Sequence, residues 1–254
     1  MDSKLSKEAF EILKDVTGTI KTCKKPRHLM LTPDGKSLMV SCTDSNGADI
    51  IDLATRKTVG QLPLGDEPEA FDVSPDGKTA YVTSEVASLV HVVDLASGQG
   101  GKVVKNIPAG KRPRRFALTP DGAQLWVTNE LDASVTVIDT KAQTVLDTIK
   151  FTVKGARAAD ITPVGITMTR DGKRAFVSLG KANHVAFIDV AARKVTDQVP
   201  VLPGSERGLQ SPHHLLKVDC RVTTSVGARE TPVMSTWKVT PYLQLPSSVV
   251  AAGS

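Results

Sequence analysis

Residues Pro68–Asp94 read PEAFDVSPDGKTAYVTSEVASLVHVVD. A short apolar segment, Phe71–Ser74, runs into Pro75-Asp76-Gly77. In such a turn proline presets φ, aspartate accepts backbone hydrogen bonds and glycine tolerates positive φ. Ala80–Ser84 follows and is made almost wholly of strand formers. Leu89–Asp94 is an apolar run of the kind a strand shows when both faces are covered. Val103–Pro108 supplies a fourth segment, so the stretch spells one four-stranded unit.

The unit recurs without internal gaps. Its other copies are PRHLMLTPDGKSLMVSCTDSNGADIID from Pro26, PRRFALTPDGAQLWVTNELDASVTVID from Pro113 and PVGITMTRDGKRAFVSLGKANHVAFID from Pro163. Their starts lie 42, 45 and 50 residues apart. A period of about 40–45 residues is that of propeller blades, and helical repeats of this length carry a 3.6-residue pattern instead. Asp34, Asp76, Asp121 and Asp171 fall at one position of the repeat and read as turn formers. Asp52, Asp94, Asp139 and Asp189 fall at another and read as Asx caps before the outer strand. A single blade cannot bury both its faces, whereas blades stacked around an axis cover one another. The expected fold is therefore an all-β propeller of four-stranded blades over residues 19–203, with about four complete blades.

Composition agrees with a globular, turn-rich chain: 40% hydrophobic, 23% charged, 19 glycines and 15 prolines. The net charge of +5 permits an anionic partner without requiring one. Aromatic residues make up 4% and basic runs are short, which weighs against nucleic acid. No apolar stretch is long enough for a membrane span. Residues 1–18 read as a short amphipathic helix or an irregular segment. Cys23, Cys42 and Cys220 show no metal or haem spacing and read as inert thiols, with a Cys23–Cys42 bridge as the alternative in an oxidising compartment. No catalytic motif and no metal site is expected. His28, His91 and His184 sit at unmatched offsets, and adjacent His213 and His214 would point to opposite faces of a strand.

The loops that lead into each first strand gather at one mouth of a propeller. Here they bring Arg27, Glu69, Arg112, Arg114 and Arg115 together as a candidate anion-binding rim. The alternative is that these charges are solvated, or that Glu69 pairs with Arg27 or Arg114 across the channel.

PDGKTAYVTS, LWVTN and VIDTKAQTV resemble the YVTN-type, WD40-like propeller repeats. The block Phe151–Asp189, with its longer loop KGARAADITPVGI, is similar to the β-propeller family associated with pyrroloquinoline-quinone-dependent alcohol catabolism. That resemblance covers about Thr19 to Val201. It implies a seven-bladed, periplasmic or otherwise exported protein that binds or scaffolds, beside quinoprotein oxidation systems and with no cofactor of its own. A protein partner or a small anionic ligand would follow. The propeller enzymes, a lactonase-like hydrolase or the large chain of a quinoprotein dehydrogenase, are the rival class. The repeat pattern stops after Val201, where Ser211-Pro212 is followed by His213-His214 in place of Asp-Gly. Residues 204–254 therefore read as a divergent tail or as sequence out of frame from about 202–212.

Overall fold

In the computed structural model the described residues are 19–32, 34–97 and 101–201, together with the backbone of 216–221 and 236–241. The stretch read as an N-terminal helix, and His213 and His214, lie outside them. Within the unit Thr22–Pro212, sixteen strands form four antiparallel sheets of four, each paired in chain order. The first sheet holds β1 (Pro26–Leu31), β2 (Ser37–Cys42), β3 (Gly47–Asp52) and β4 (Lys57–Pro63). The second holds β5 (Pro68–Val73), β6 (Thr79–Ser84), β7 (Leu89–Asp94) and β8 (Lys102–Pro108). The third holds β9 (Pro113–Leu118), β10 (Gln124–Asn129), β11 (Ser134–Asp139) and β12 (Thr144–Lys150). The fourth holds β13 (Pro163–Met168), β14 (Arg174–Leu179), β15 (His184–Asp189) and β16 (Lys194–Pro200). In a separate unit, β17 (Leu216–Arg221) pairs antiparallel with β18 (Thr236–Pro241).

The opening strands β1, β5, β9 and β13 lie side by side, so the sheets follow one another as blades around an axis. Each opening strand starts at its proline, three residues before the Phe71 boundary that the sequence suggested for β5. Proline has no N–H for the ladder, and the first strand of each blade is a sheet edge where none is required.

The turn chemistry is as the repeat implied. Asp76 Oδ1 accepts from Ser74 Oγ at 2.6 Å and from Lys78 N at 3.1 Å, and Gly77 has φ +72°. Asp34, Asp121 and Asp171 repeat this pattern on Thr32, Thr119 and Thr169. Asp52, Asp94, Asp139 and Asp189 cap the turns before the outer strands through the N–H groups of Thr55, Ala96, Ala142 and Ala192.

Three apolar cores fill the three blade-to-blade gaps. Met39, Ala48 and Leu62 of the first blade meet Phe71, Val82 and Val93 of the second. Tyr81, Val90 and Ile107 of the second meet Phe116, Leu125 and Ile138 of the third. Trp126, Val135 and Val137 of the third meet Ile166, Val177 and Ile188 of the fourth. The longer loop before β13 joins this last core through Phe151 and Ile161. Met39, Tyr81, Trp126 and Phe176 occupy one repeat position. The first three are buried, while Phe176 is half-buried and meets Phe187 edge-on, with centroids 5.1 Å apart.

The blades also touch at their turns. A Cβ on Gly122 would lie 2.8 Å from Pro75 Cδ in the preceding blade, and one on Gly172 would lie 2.9 Å from Pro120 Cδ. Gly122→Ala therefore adds a clash to the strain of φ +70° and is expected to cost about 1–3 kcal/mol. Gly35 has the same conformation with nothing within 4 Å, so Gly35→Ala should cost only about 1 kcal/mol. Urea unfolding of the two variants measures the difference.

Asp72 on β5 is half-buried, with the Leu118 backbone of the third blade against its carboxyl. Burial pushes its carboxyl up to about 6, although backbone hydrogen bonds from Val73 and Leu118 pull the other way. A carboxyl raised on folding favours the folded state when protonated, and that advantage is lost as pH rises from its unfolded range through 6. Asp72→Asn is expected to raise Tm at pH 7.5 and to flatten the dependence of Tm on pH between about 4 and 6.5, measured by thermal scans across that range.

Candidate functional site

The rim residues are placed by a repeated irregularity. Each opening strand slips register against its neighbour just after the proline, between Pro26 and Leu29, Pro68 and Phe71, and Pro163 and Gly165, with the matching slip opposite Val127–Asn129 in the third blade. A hydroxyl on the second strand satisfies the amide that the slip frees. Ser41 Oγ accepts from His28 N at 2.9 Å, Thr83 Oγ1 from Ala70 N at 3.0 Å, Thr128 Oγ1 from Arg115 N at 3.1 Å and Ser178 Oγ from Gly165 N at 2.9 Å. Two of these hydroxyls also reach the next blade. Ser41 donates to the Glu69 carbonyl at 2.8 Å and Thr83 to the Arg114 carbonyl at 3.3 Å. The residue before each proline, Lys25, Glu67, Arg112 or Thr162, has φ between +44° and +55°. Its carbonyl accepts from the turn after the second strand, at Thr43, Glu85, Glu130 or Gly180 N. The slip and the left-handed residue together hold Arg27, Glu69, Arg112, Arg114 and Arg115 at one end of the blades, with Glu85 and Glu130 beside them.

These seven side chains form one network. Glu69, 3% exposed at its side chain, accepts from Arg115 Nη1 at 2.8 Å. Arg27 Nε lies 3.2 Å from its other oxygen, and Arg114 Nη2 lies 3.8 Å from the oxygen that Arg115 holds. Glu85 is equally buried and accepts from Arg112 Nε at 3.0 Å and from Arg114 Nη1. Glu130 Oε2 sits 3.4 Å from Arg112 Nε and 3.5 Å from Arg114 Nε, within ion-pair range but without hydrogen-bond geometry. Arg114 touches all three carboxylates. Burial pushes the Glu69 carboxyl up, but Arg115, Arg114 and Arg27 outweigh it and leave it below the usual glutamate range. Desolvation lowers Arg112, and the hydrogen bond and charge of Glu85 more than restore it.

All five residues proposed for the rim are thus brought together. Glu69 pairs with both Arg27 and Arg114, as the alternative reading held, and with Arg115 as well. Glu85 and Glu130 were missed. Both stand seventeen residues after their proline, so the repeat alignment carried the signal. Four guanidinium groups face three carboxylates, and Arg27, Arg112 and Arg115 keep between 32% and 40% of their side-chain surface exposed. His28 Nδ1 accepts from Phe71 N at 3.3 Å. His91 Nδ1 lies 2.7 Å from Asn106 Oδ1.

The reading of all three cysteines as inert thiols is overturned at two of them. Cys23 and Cys42 are joined as a disulfide, because the chain entering β1 runs alongside the end of β2. Asp49 lies within 4.8 Å of both sulfurs.

The sequence model of the YNCE-like β-propeller family matches residues 38–115. That of the seven-bladed lactonase β-propellers matches residues 100–201. The chain is a β-propeller repeat protein. Hydrazine synthase of Kuenenia stuttgartiensis superposes with a TM-score of 0.61 at 27% identity, covering 72% of this chain and 51% of that one. The Cps50 (Swd1) propeller domain of Myceliophteria thermophila gives 0.62 at 16%, covering 74% and 59%. A provisionally assigned 6-phosphogluconolactonase of Bacteroides fragilis gives 0.56 at 21%, covering 72% and 58%. The propeller repeat protein thus spans little more than half the length of these structures. No curated protein sequence matches it. Among the described residues no helix is long and apolar enough to cross a membrane.

Glu69→Gln removes the anion that three guanidinium groups share and should destabilise the propeller by about 3 kcal/mol at pH 7. The exposed pair Lys25–Asp44 is the control, and Asp44→Asn should cost less than about 1 kcal/mol. Because Glu69 lies below its ordinary range in the folded chain, its contribution is present at neutral pH and lost as pH falls below that range. The wild-type and Glu69→Gln stability curves should therefore converge on acidification, as read by denaturant midpoints.

Proposed function

We propose that this propeller is a binding module whose rim receives a carboxylate or phosphate group of a partner on Arg27, Arg112 and Arg115. The supporting observation is the network itself. Buried Glu69 and Glu85 hold the guanidinium groups in fixed positions while part of each stays exposed. A planar guanidinium that spends one edge on an internal carboxylate keeps further N–H donors for an outside anion, and its rotamer is already fixed before binding. The positive excess over the three acids is small, so the rim favours a partner that also makes contacts beyond charge, such as an acidic segment of a protein. Resemblance of the Phe151–Asp189 block to the pyrroloquinoline-quinone-associated propellers supports an accessory role in quinoprotein alcohol oxidation, with the quinone held elsewhere.

A hydrolase is the second reading, favoured by the lactonase match over residues 100–201 and by the likeness to the Bacteroides fragilis protein. It requires turnover of a lactone by the purified chain.

Calorimetric titration with citrate, inorganic phosphate and a glutamate-rich peptide at two salt concentrations tests the binding reading. The peptide should bind most tightly, with affinity falling as salt rises. Arg112→Ala and Arg115→Ala should each weaken it about tenfold, while Lys57→Ala on the outer strand β4 should not. Absence of binding by the wild-type chain, or binding that ignores the arginine variants, overturns the rim. Lactone hydrolysis that survives those variants would support the hydrolase instead.

A further inference from the structure

In the second and third blades, the chain arriving at the opening strand is fastened to the end of the second strand without a covalent bond. Ser84 Oγ donates to the Asp66 carbonyl, and Gly110 N donates to Asn129 Oδ1 at 3.1 Å. The residue three before the proline is Gly65 in one blade and Gly110 in the other. A Cβ on Gly110 would meet the Asn129 side chain at 2.6 Å, so that side chain closes the joint over bare backbone. In the first blade the same two repeat positions hold Cys23 and Cys42, and their sulfurs are bonded across a Cα–Cα distance of 5.7 Å.

The surroundings are built for this joint. Asp49, 4% exposed, accepts from Thr22 Oγ1 at 2.8 Å, Cys23 N at 2.9 Å and Gln61 Nε2 at 3.0 Å. Lys24 N donates to Ser45 Oγ at 3.3 Å. Cys42 is buried, whereas Cys23 is half-buried. A cleft of about 360 Å³ lined by Cys42, Asp49 and Gln61 opens beside the pair.

We propose that Cys23–Cys42 is a reducible latch that fastens the lead-in segment Thr22–Lys25 to the first blade where the second and third blades use hydrogen bonds. A dithiol reductant attacks a sulfur of the bond, and the half-buried Cys23 is the accessible one. Two electrons and two protons pass to the protein, giving two thiols, and the reductant leaves as its own disulfide. With the bond open, the lead-in is held by Asp49, Ser45 and the exposed Lys25–Asp44 pair. The device implies a chain that matures where disulfides persist and that loosens at one defined joint when it meets a thiol reductant. Arg27 lies four residues after Cys23, so the latch also steadies the end of the rim nearest to it. The latch does not depend on the rim's ligand.

The test uses the full chain produced in an oxidising compartment. Alkylation without reductant, read by peptide mass spectrometry, should leave Cys23 and Cys42 unmodified, and alkylation after dithiothreitol should modify both. Tryptic cleavage after Lys21 and Lys24 should speed up at least about tenfold on reduction, while cleavage within β5–β16 keeps its rate. The Cys23→Ser/Cys42→Ser chain should cleave like the reduced wild type under both conditions. If that variant does not fold, the reduced and oxidised wild type decide the matter. Alkylation of Cys23 or Cys42 before reduction, a bridge from either to Cys220, or equal cleavage rates in the two states overturns the latch.

Discussion

A four-stranded sheet with apolar side chains on both faces has no way to bury them by itself, and everything else in this propeller follows from that constraint. Each blade must be sandwiched. Leu125 and Val127 face backwards from β10 into the core shared with the second blade, while Trp126 between them faces forwards into the core shared with the fourth. Strand alternation therefore feeds two cores from one strand. At about 25 cal/mol per Å² of apolar surface, a buried tryptophan or leucine contributes on the order of 2–3 kcal/mol, far more than any exposed ion pair in the chain. The half-buried Phe176 and Phe187 show the same arithmetic at the last described blade, where the forward face is less fully covered.

Side-by-side packing brings polar backbone together at the axis, and that creates the second layer of order. The opening strands slip register to follow the axis, which frees an amide in each blade. A buried amide without a partner costs about 1–3 kcal/mol, so the serine or threonine on the second strand is there to satisfy it. In two cases the same hydroxyl bonds the next blade, which couples the spacing of the blades to the local repair of the slip. The left-handed residue before each proline then swings the loop back onto the turn after the second strand.

The charged rim is a by-product of that geometry. Side chains just after the proline have no core to enter, so they collect at the mouth with those of the turn after the second strand. Glu69 and Glu85 are deeply buried there, and their charge is tolerable only because arginines stand against them. Taking away one carboxylate leaves cations crowded together. The Cys23–Cys42 bond sits at the lead-in to this same mouth and does covalently in the first blade what hydrogen bonds do in the next two.

The repeat, read from the sequence alone, determined the blade count over residues 26–200, the turns at Asp34, Asp76, Asp121 and Asp171, and the burial of Trp126, because these depend on contacts within one repeat or on its strict alternation. It also placed Arg27, Glu69, Arg112, Arg114 and Arg115 at one end of the blades, since equivalent loops of blades stacked around one axis must gather there. Which charges touch which was decided by the tertiary structure. Glu85 comes from a turn on the second blade and meets Arg112 and Arg114 of the third only because the register slip and the positive φ at Arg112 turn the loop inwards. The Cys23–Cys42 pairing was left open by the spacing for the same reason: nineteen residues of chain say nothing of distance until β2 runs back beside the lead-in and sets the two Cα atoms 5.7 Å apart.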